Sequence, residues 1–190
     1  DQFPEWEIWD QFIVADYLRA LNGDALENTH AIEIPVQHPS EIREIFDAIT
    51  YSKGSSVNRM LEHYLGETIF RKGLRVYLKK FAWGNATTKD LWDVLEKVSG
   101  KPVRAIMTSY TDQPGFPVLT VQKKKGKPSA FQVQQQRFLF DGSKDRAKTR
   151  WNIPLVVARA ETKKNWVGLL KSSSMAMDLG KKSDWVKINA

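Results

Sequence analysis

Phe46-Asp47-Ala48-Ile49-Thr50-Tyr51-Ser52-Lys53-Gly54 opens the most regular part of the chain. Beyond it, Val57, Met60, Leu61 and Tyr64 recur at three- and four-residue steps. That spacing predicts a helix over about 50–65 with one apolar face. Gly66 ends the pattern, where a left-handed C-terminal cap belongs. Tyr51 falls in the first turn, so its ring can stand at the helix mouth over a cleft. Its hydroxyl, with a reference pKa of about 10, stays protonated near neutral pH and can donate a hydrogen bond. On residues alone a Tyr here is more often a packing residue, and both roles stand open.

Helical patterns continue on either side. Residues 4–22 read as a helix: Pro4 suits the first position, Glu5 and Glu7 its positive end, and Gly23 its cap. Trp6, Trp9, Phe12, Ile13, Tyr17 and Leu21 form a broad apolar stripe, read as core because helical spacing accounts for all of them. Residues 24–38 look irregular, with a brief alternation at Ile32, Ile34 and Val36, and Pro39-Ser40 can open a short helix over 41–46. A helix over 67–80 would bury Ile69, Phe70, Leu74, Tyr77, Leu78 and Phe81. Gly73 inside it costs about 1 kcal/mol relative to Ala, unless a neighbouring helix packs close. Thr87-Thr88-Lys89-Asp90 resembles a capping box with Asp in the usual Glu position, its helix stopping at Gly100; Pro102 opens another, to about Tyr110.

The period changes at Pro114. Segments 116–122, 130–140, 151–160, 166–170 and 185–188 alternate or run as short β-rich stretches, with polar connectors at 123–128 and 141–148. The fold class is therefore α+β, helices first and strands after, which points to two domains, 1–112 and 113–190.

The 190 residues are 42% hydrophobic and 11% aromatic, enough for a real core. No apolar run approaches the roughly 18 residues of a membrane span, and no signal peptide is visible. Cysteine is absent, which excludes a disulfide framework and thiolate chemistry. It also fits a reducing, cytoplasmic setting. The net charge of +7 is uneven: residues 1–112 hold 13 Lys and Arg against 17 Asp and Glu, residues 113–190 hold 16 against 5. A basic half admits nucleic-acid binding. A solvated surface facing an acidic neighbouring domain is the reading we favour.

Zinc peptidase chemistry needs two His four apart on a helix, with a Glu between them to activate the metal's water. His30, His38 and His63 are neither so paired nor so flanked. His63 reads as an exposed surface residue. No Gly-x-Ser-x-Gly elbow and no phosphate-cradling Gly loop is present.

The segment Asp47-Ala-Ile-Thr-Tyr-Ser-Lys-Gly-Ser-Ser-Val-Asn-Arg-Met-Leu-Glu-His-Tyr-Leu-Gly66 resembles the catalytic domain of zinc aminopeptidases of the aminopeptidase N (membrane alanyl aminopeptidase) family. Thr29-His-Ala-Ile-Glu-Ile-Pro-Val36 before it fits the same family in the same order. So do Phe70–Trp92 and Gln113-Pro-Gly-Phe-Pro-Val-Leu-Thr-Val121 after it. The match is good over about 1–122 and looser beyond. It implies the helical C-terminal half of a thermolysin-like catalytic domain, then a small β-sandwich that lacks a strand after Trp185–Asn189.

The resemblance also implies a zinc-dependent aminopeptidase acting on the amino termini of peptides. Its zinc motif and its Gly-x-Met-x-Asn motif would both lie upstream of residue 1. The chain, which begins with Asp, would be a piece of a longer protein, joined to upstream and downstream domains. It would carry no metal ligands and no activity by itself. Tyr51, as the Tyr of Tyr-x-Lys-Gly, would donate to the oxygen of the tetrahedral intermediate. His30 would order the loop before it, while Lys53 and Gly54 would serve the turn and helix packing. A non-enzymatic scaffold built on the same fold is the alternative, which the upstream sequence would decide.

Overall fold

The computed structural model describes residues 3–43, 45–160 and 162–189. The chain starts with a 3-10 turn, Pro4–Trp6, then reverses at Glu7 in the left-handed region (φ 46°). Helix α1, Ile8–Phe12, passes through a π-helical turn, Ile13–Tyr17, into α2, Leu18–Asp24. The helix thus runs through Gly23 instead of stopping there.

The aromatic stripe of this segment is not core. Trp6, Trp9, Ile13 and Tyr17 are exposed, while Ala20 and Asp24 face inward. The small residues win because α2 lies close against the turn that leads into the Tyr51 helix; a Cβ built on Gly23 would already lie 3.5 Å from Cδ1 of Ile49. Trp9 is instead covered by the Arg59 guanidinium, 3.4 Å above its ring.

Between α2 and that turn the alternation at 32–36 forms no strand, and the predicted short helix is a 3-10 turn, Pro39–Arg43. Residue 44, within the expected span, lies outside the described residues. The Tyr51 helix opens with a π-helical turn, Ile49–Lys53, and continues as α3, Gly54–Leu65. Gly66 ends it at φ 88°, its N–H bonded to the Glu62 carbonyl at 2.8 Å.

Helices α4 (Glu67–Lys80), α5 (Thr88–Ser99) and α6 (Val103–Thr111) follow. Gly73 is buried where α4 meets α5, and a Cβ built there would overlap Cδ2 of Leu95. The glycine is needed for close approach. Leu78, an expected core position, is exposed, because Gly73 and not Leu78 marks the α5-facing side. Thr87 and Asp90 form the reciprocal capping box, and Gly100 caps α5 in the left-handed region.

The β half holds two antiparallel sheets. β1 (Pro117–Lys123), β2 (Ala130–Arg137) and β5 (Ser174–Asp178) pair in the order β1-β2-β5. β4 (Thr162–Leu170), β3 (Ile153–Arg159) and β6 (Val186–Ile188) pair as β4-β3-β6. The architecture is mixed α+β. Strand β5 has no counterpart in the sequence reading, because Ser-Met-Ala-Met-Asp carries no β-branched residue. Core residues of α3, α5 and α6 (Leu61, Leu95, Ile106) join those of both sheets (Val133, Leu155, Met177) in one cluster. Among the described residues no helix is long and apolar enough to cross a membrane.

Candidate functional site

Asp47 builds the entrance to the Tyr51 helix. Its Oδ1 accepts the N–H groups of Ile49 and Thr50, both at 2.9 Å, as an acceptor at a helix start should. Its Oδ2 lies 2.6 Å from Nε2 of His30, whose Nδ1 lies 2.7 Å from the Ala31 carbonyl oxygen. Both ring nitrogens therefore face acceptors, an arrangement only the doubly protonated ring satisfies. Burial works against that charge, but the Ala31 carbonyl and the Asp47 carboxylate outweigh it and raise the His30 pKa. Burial opposes ionisation of Asp47 too, yet the N–H groups of Thr50 and Ile49 and the His30 ring hold its pKa below the usual range. His30 thus orders the loop before Tyr51, as the sequence suggested.

The next turn is widened. The N–H of Lys53 reaches the carbonyl of Ala48, five residues back, at 3.0 Å. Such π turns inside helices often mark functional positions. Around this one, side chains divide sharply. Tyr51 is 58% exposed, its ring centroid 5.7 Å from that of Phe46. No described residue is bonded to its hydroxyl. Ser52 and Lys53 point the other way and are 1% and 4% exposed. Ser52 Oγ donates to Asp16 Oδ1 at 3.0 Å.

Lys53 is the surprise of the site. Its ammonium lies 2.9 Å from Oδ2 of Asp24 and donates to the carbonyls of Gly115 at 3.1 Å and Gln113 at 3.3 Å. All three of its donors are thereby used. Burial lowers its pKa, with Asp24 pulling the other way and Arg137 adding to the fall. Asp24, also buried, accepts the Gly115 N–H at 2.8 Å and the Thr29 hydroxyl at 3.1 Å. Sequence reasoning gave Lys53 a packing role but missed Asp24, which stands 29 positions away with no local signal. Asp47 could have been found as an N-cap acceptor just ahead of the helix.

The other histidines stay apart. His38 Nδ1 pairs with Ser40 Oγ at 2.7 Å in an exposed turn. His63, twelve residues beyond Tyr51 along the helix, is about 18 Å away at 1.5 Å per residue. It lines a cleft of about 430 Å³ between the helices and the sheets, with Phe12, Tyr17, Met60, Phe116 and Val156, and Asp24 and Lys53 contribute to the same wall. Among the described residues no three His, Cys, Asp or Glu converge as the donors of a metal ion would. The described residues therefore do not supply the ligand set of a zinc site.

Residues 1–110 match the peptidase family M1 domain. The chain is 40% identical over 192 residues to the puromycin-sensitive aminopeptidase of Caenorhabditis elegans, covering 98% of this chain and 20% of the worm protein. It is 45% identical to aminopeptidase M1 of Arabidopsis thaliana, over 93% of this chain and 20% of that protein. It is 42% identical to the alanine/arginine aminopeptidase of Saccharomyces cerevisiae, over 98% of this chain and 21% of that protein. It therefore spans about a fifth of the length of the relatives it matches.

Proposed function

The chain belongs to peptidase family M1, and on that premise we propose that the full-length protein is an aminopeptidase removing amino-terminal residues from peptides. Tyr51 is the residue of this stretch assigned to the chemistry. When water adds to a peptide carbonyl, negative charge collects on the oxygen. A donor already aimed at that oxygen stabilises the charge without reorganising, and loss of one such donor typically costs about 2.7–4 kcal/mol of barrier.

The observation that carries this reading is the setting of Tyr51. It is exposed, and it rides on a turn fixed from beneath by Asp47, Ser52 and Lys53. On the same reading, residues 1–112 belong to the catalytic domain and 113–190 form a β-sandwich. The two three-stranded antiparallel sheets of that half support the latter. Zinc ligands and the groups that hold the substrate's amino terminus then come from sequence outside these residues.

The test uses the full-length protein on one peptide with a free or an acetylated amino terminus. Stepwise release from the free peptide alone is expected. Equal cleavage of both, or of neither, rejects the assignment.

A further inference from the structure

We propose that Lys53, through its ion pair with Asp24, is a positioning residue for Tyr51 and ties the setting of its hydroxyl to the junction between the helices and the sheets. The inference rests on the reading of Tyr51 as the oxyanion donor.

The argument begins with the widened turn. Side chains two apart on a helical turn, α or π, point to roughly opposite sides of it. Lys53 drawn inward therefore holds Tyr51 outward. A π turn has more than one way to place its extra residue, so something outside it must choose. Asp24, Gln113 and Gly115 make that choice by occupying every donor of the ammonium.

The knot is closed from the far side. Gly115 gives its N–H to Asp24 and its carbonyl to Lys53. It sits at φ 83°, and a Cβ there would overlap the Arg137 guanidinium, so only glycine fits. Gln113 also donates to the carbonyls of Ser109 at 2.6 Å, on α6, and Arg150 at 2.7 Å, ahead of β3. A shift of the sheets against the helices is thus carried through Gln113 and Gly115 to Lys53, and through Lys53 to Tyr51. A displacement of about 1 Å at a catalytic group can cost about 10²-fold in rate.

A lone Lys53→Met leaves a buried carboxylate without a partner and can unfold the protein. Two other changes avoid this. Lys53→Arg keeps the charge but replaces a compact ammonium with a planar fork. Asp24→Asn with Lys53→Met removes both charges and keeps an acceptor for the Gly115 N–H. Each is made in the full-length peptidase, once with Tyr51 intact and once in the Tyr51→Phe background.

With Tyr51 intact, each change is expected to lower kcat by about 10- to 100-fold with KM within about threefold. In the Tyr51→Phe background, the same changes should lower kcat no more than about twofold, since they act through a hydroxyl already gone. Hydrogen exchange at the amides of residues 51 and 52 should quicken in both. A folded variant that keeps its kcat overturns the proposal, as does an equal loss in both backgrounds. If Tyr51→Phe alone costs nothing, the reading of Tyr51 falls first; if it costs and the pair does not, only the positioning role falls.

Discussion

His30 faces Asp47 at 2.6 Å with one ring nitrogen and the Ala31 carbonyl at 2.7 Å with the other. Its raised pKa gives a stabilisation that is fully present below its unfolded value of about 6.5 and is lost as pH climbs through the folded value. The lowered pKa of Asp47 gives one that is present above about 3.9 and lost as pH falls through its folded value. The two overlap between about pH 4 and 6.5. His30→Gln should destabilise most in that window and least at alkaline pH. Both side chains are about a third exposed, so the effect should stay under about 1 kcal/mol and shrink with salt. Thermal unfolding of both proteins across pH 4–9 checks it; a difference that grows with pH contradicts the pairing.

Gly73→Ala should destabilise, although alanine is the better helix former by about 1 kcal/mol. The added methyl meets Leu95 in a fully buried position, and overpacking of that kind costs about 1–3 kcal/mol. Denaturant midpoints measure the sum. Adding Leu95→Val should recover part of the loss, whereas a stabilised Gly73→Ala would show that α4 and α5 have room to spare.

Gln135 acts as a side-chain strand. Its amide donates to the carbonyls of Trp151 at 2.9 Å and Ser172 at 2.8 Å and accepts the Trp151 N–H at 2.9 Å. Gln135→Leu fills the same space but orphans those groups, at about 1–3 kcal/mol for each that stays buried. Unfolding of the chain should report a loss of about 3 kcal/mol. A change under about 0.5 kcal/mol, the range of surface substitutions, would mean that water replaces the amide.

Legibility divided along the range of the interactions. The five helices from α2 onward, the Thr87–Asp90 box and the change of period at Pro114 rest on local spacing, and all were readable. The aromatic stripe of the first helix was misread because periodicity shows that a face exists, not which neighbour meets it. Tyr51 was singled out from its motif, but the π turn beneath it has no sequence signature. Asp24 was invisible for a different reason: a buried carboxylate is explained only by its partner, and Lys53 lies across the fold.

The 190-residue chain, purified alone, should hold less than one zinc per chain after dialysis. His30 is engaged by Ala31 and Asp47, His38 pairs with Ser40, and no third donor converges on either among the described residues. Elemental analysis decides the matter, and one tightly held zinc per chain would require a ligand set that the described residues do not display.

Tyr51→Phe in the full-length protein tests the chemistry most directly. The change removes one hydroxyl and keeps the ring, so the contact with Phe46 and the bonds beneath the turn persist. The hydroxyl has no described partner to orphan, so folding should not suffer. Binding of the peptide should change little, because its scissile carbonyl oxygen is still neutral and the lost hydrogen bond matters most once that oxygen has become negative. Hence kcat should fall by about 10²–10³ with KM nearly constant, the signature of an interaction made mainly in the transition state. Thermal unfolding should stay at the native value, since Tyr51 is 58% exposed and buries little that Phe would not. A variant that keeps most of its kcat makes Tyr51 an ordinary surface residue, and a raised KM at unchanged kcat would make it a substrate-binding group.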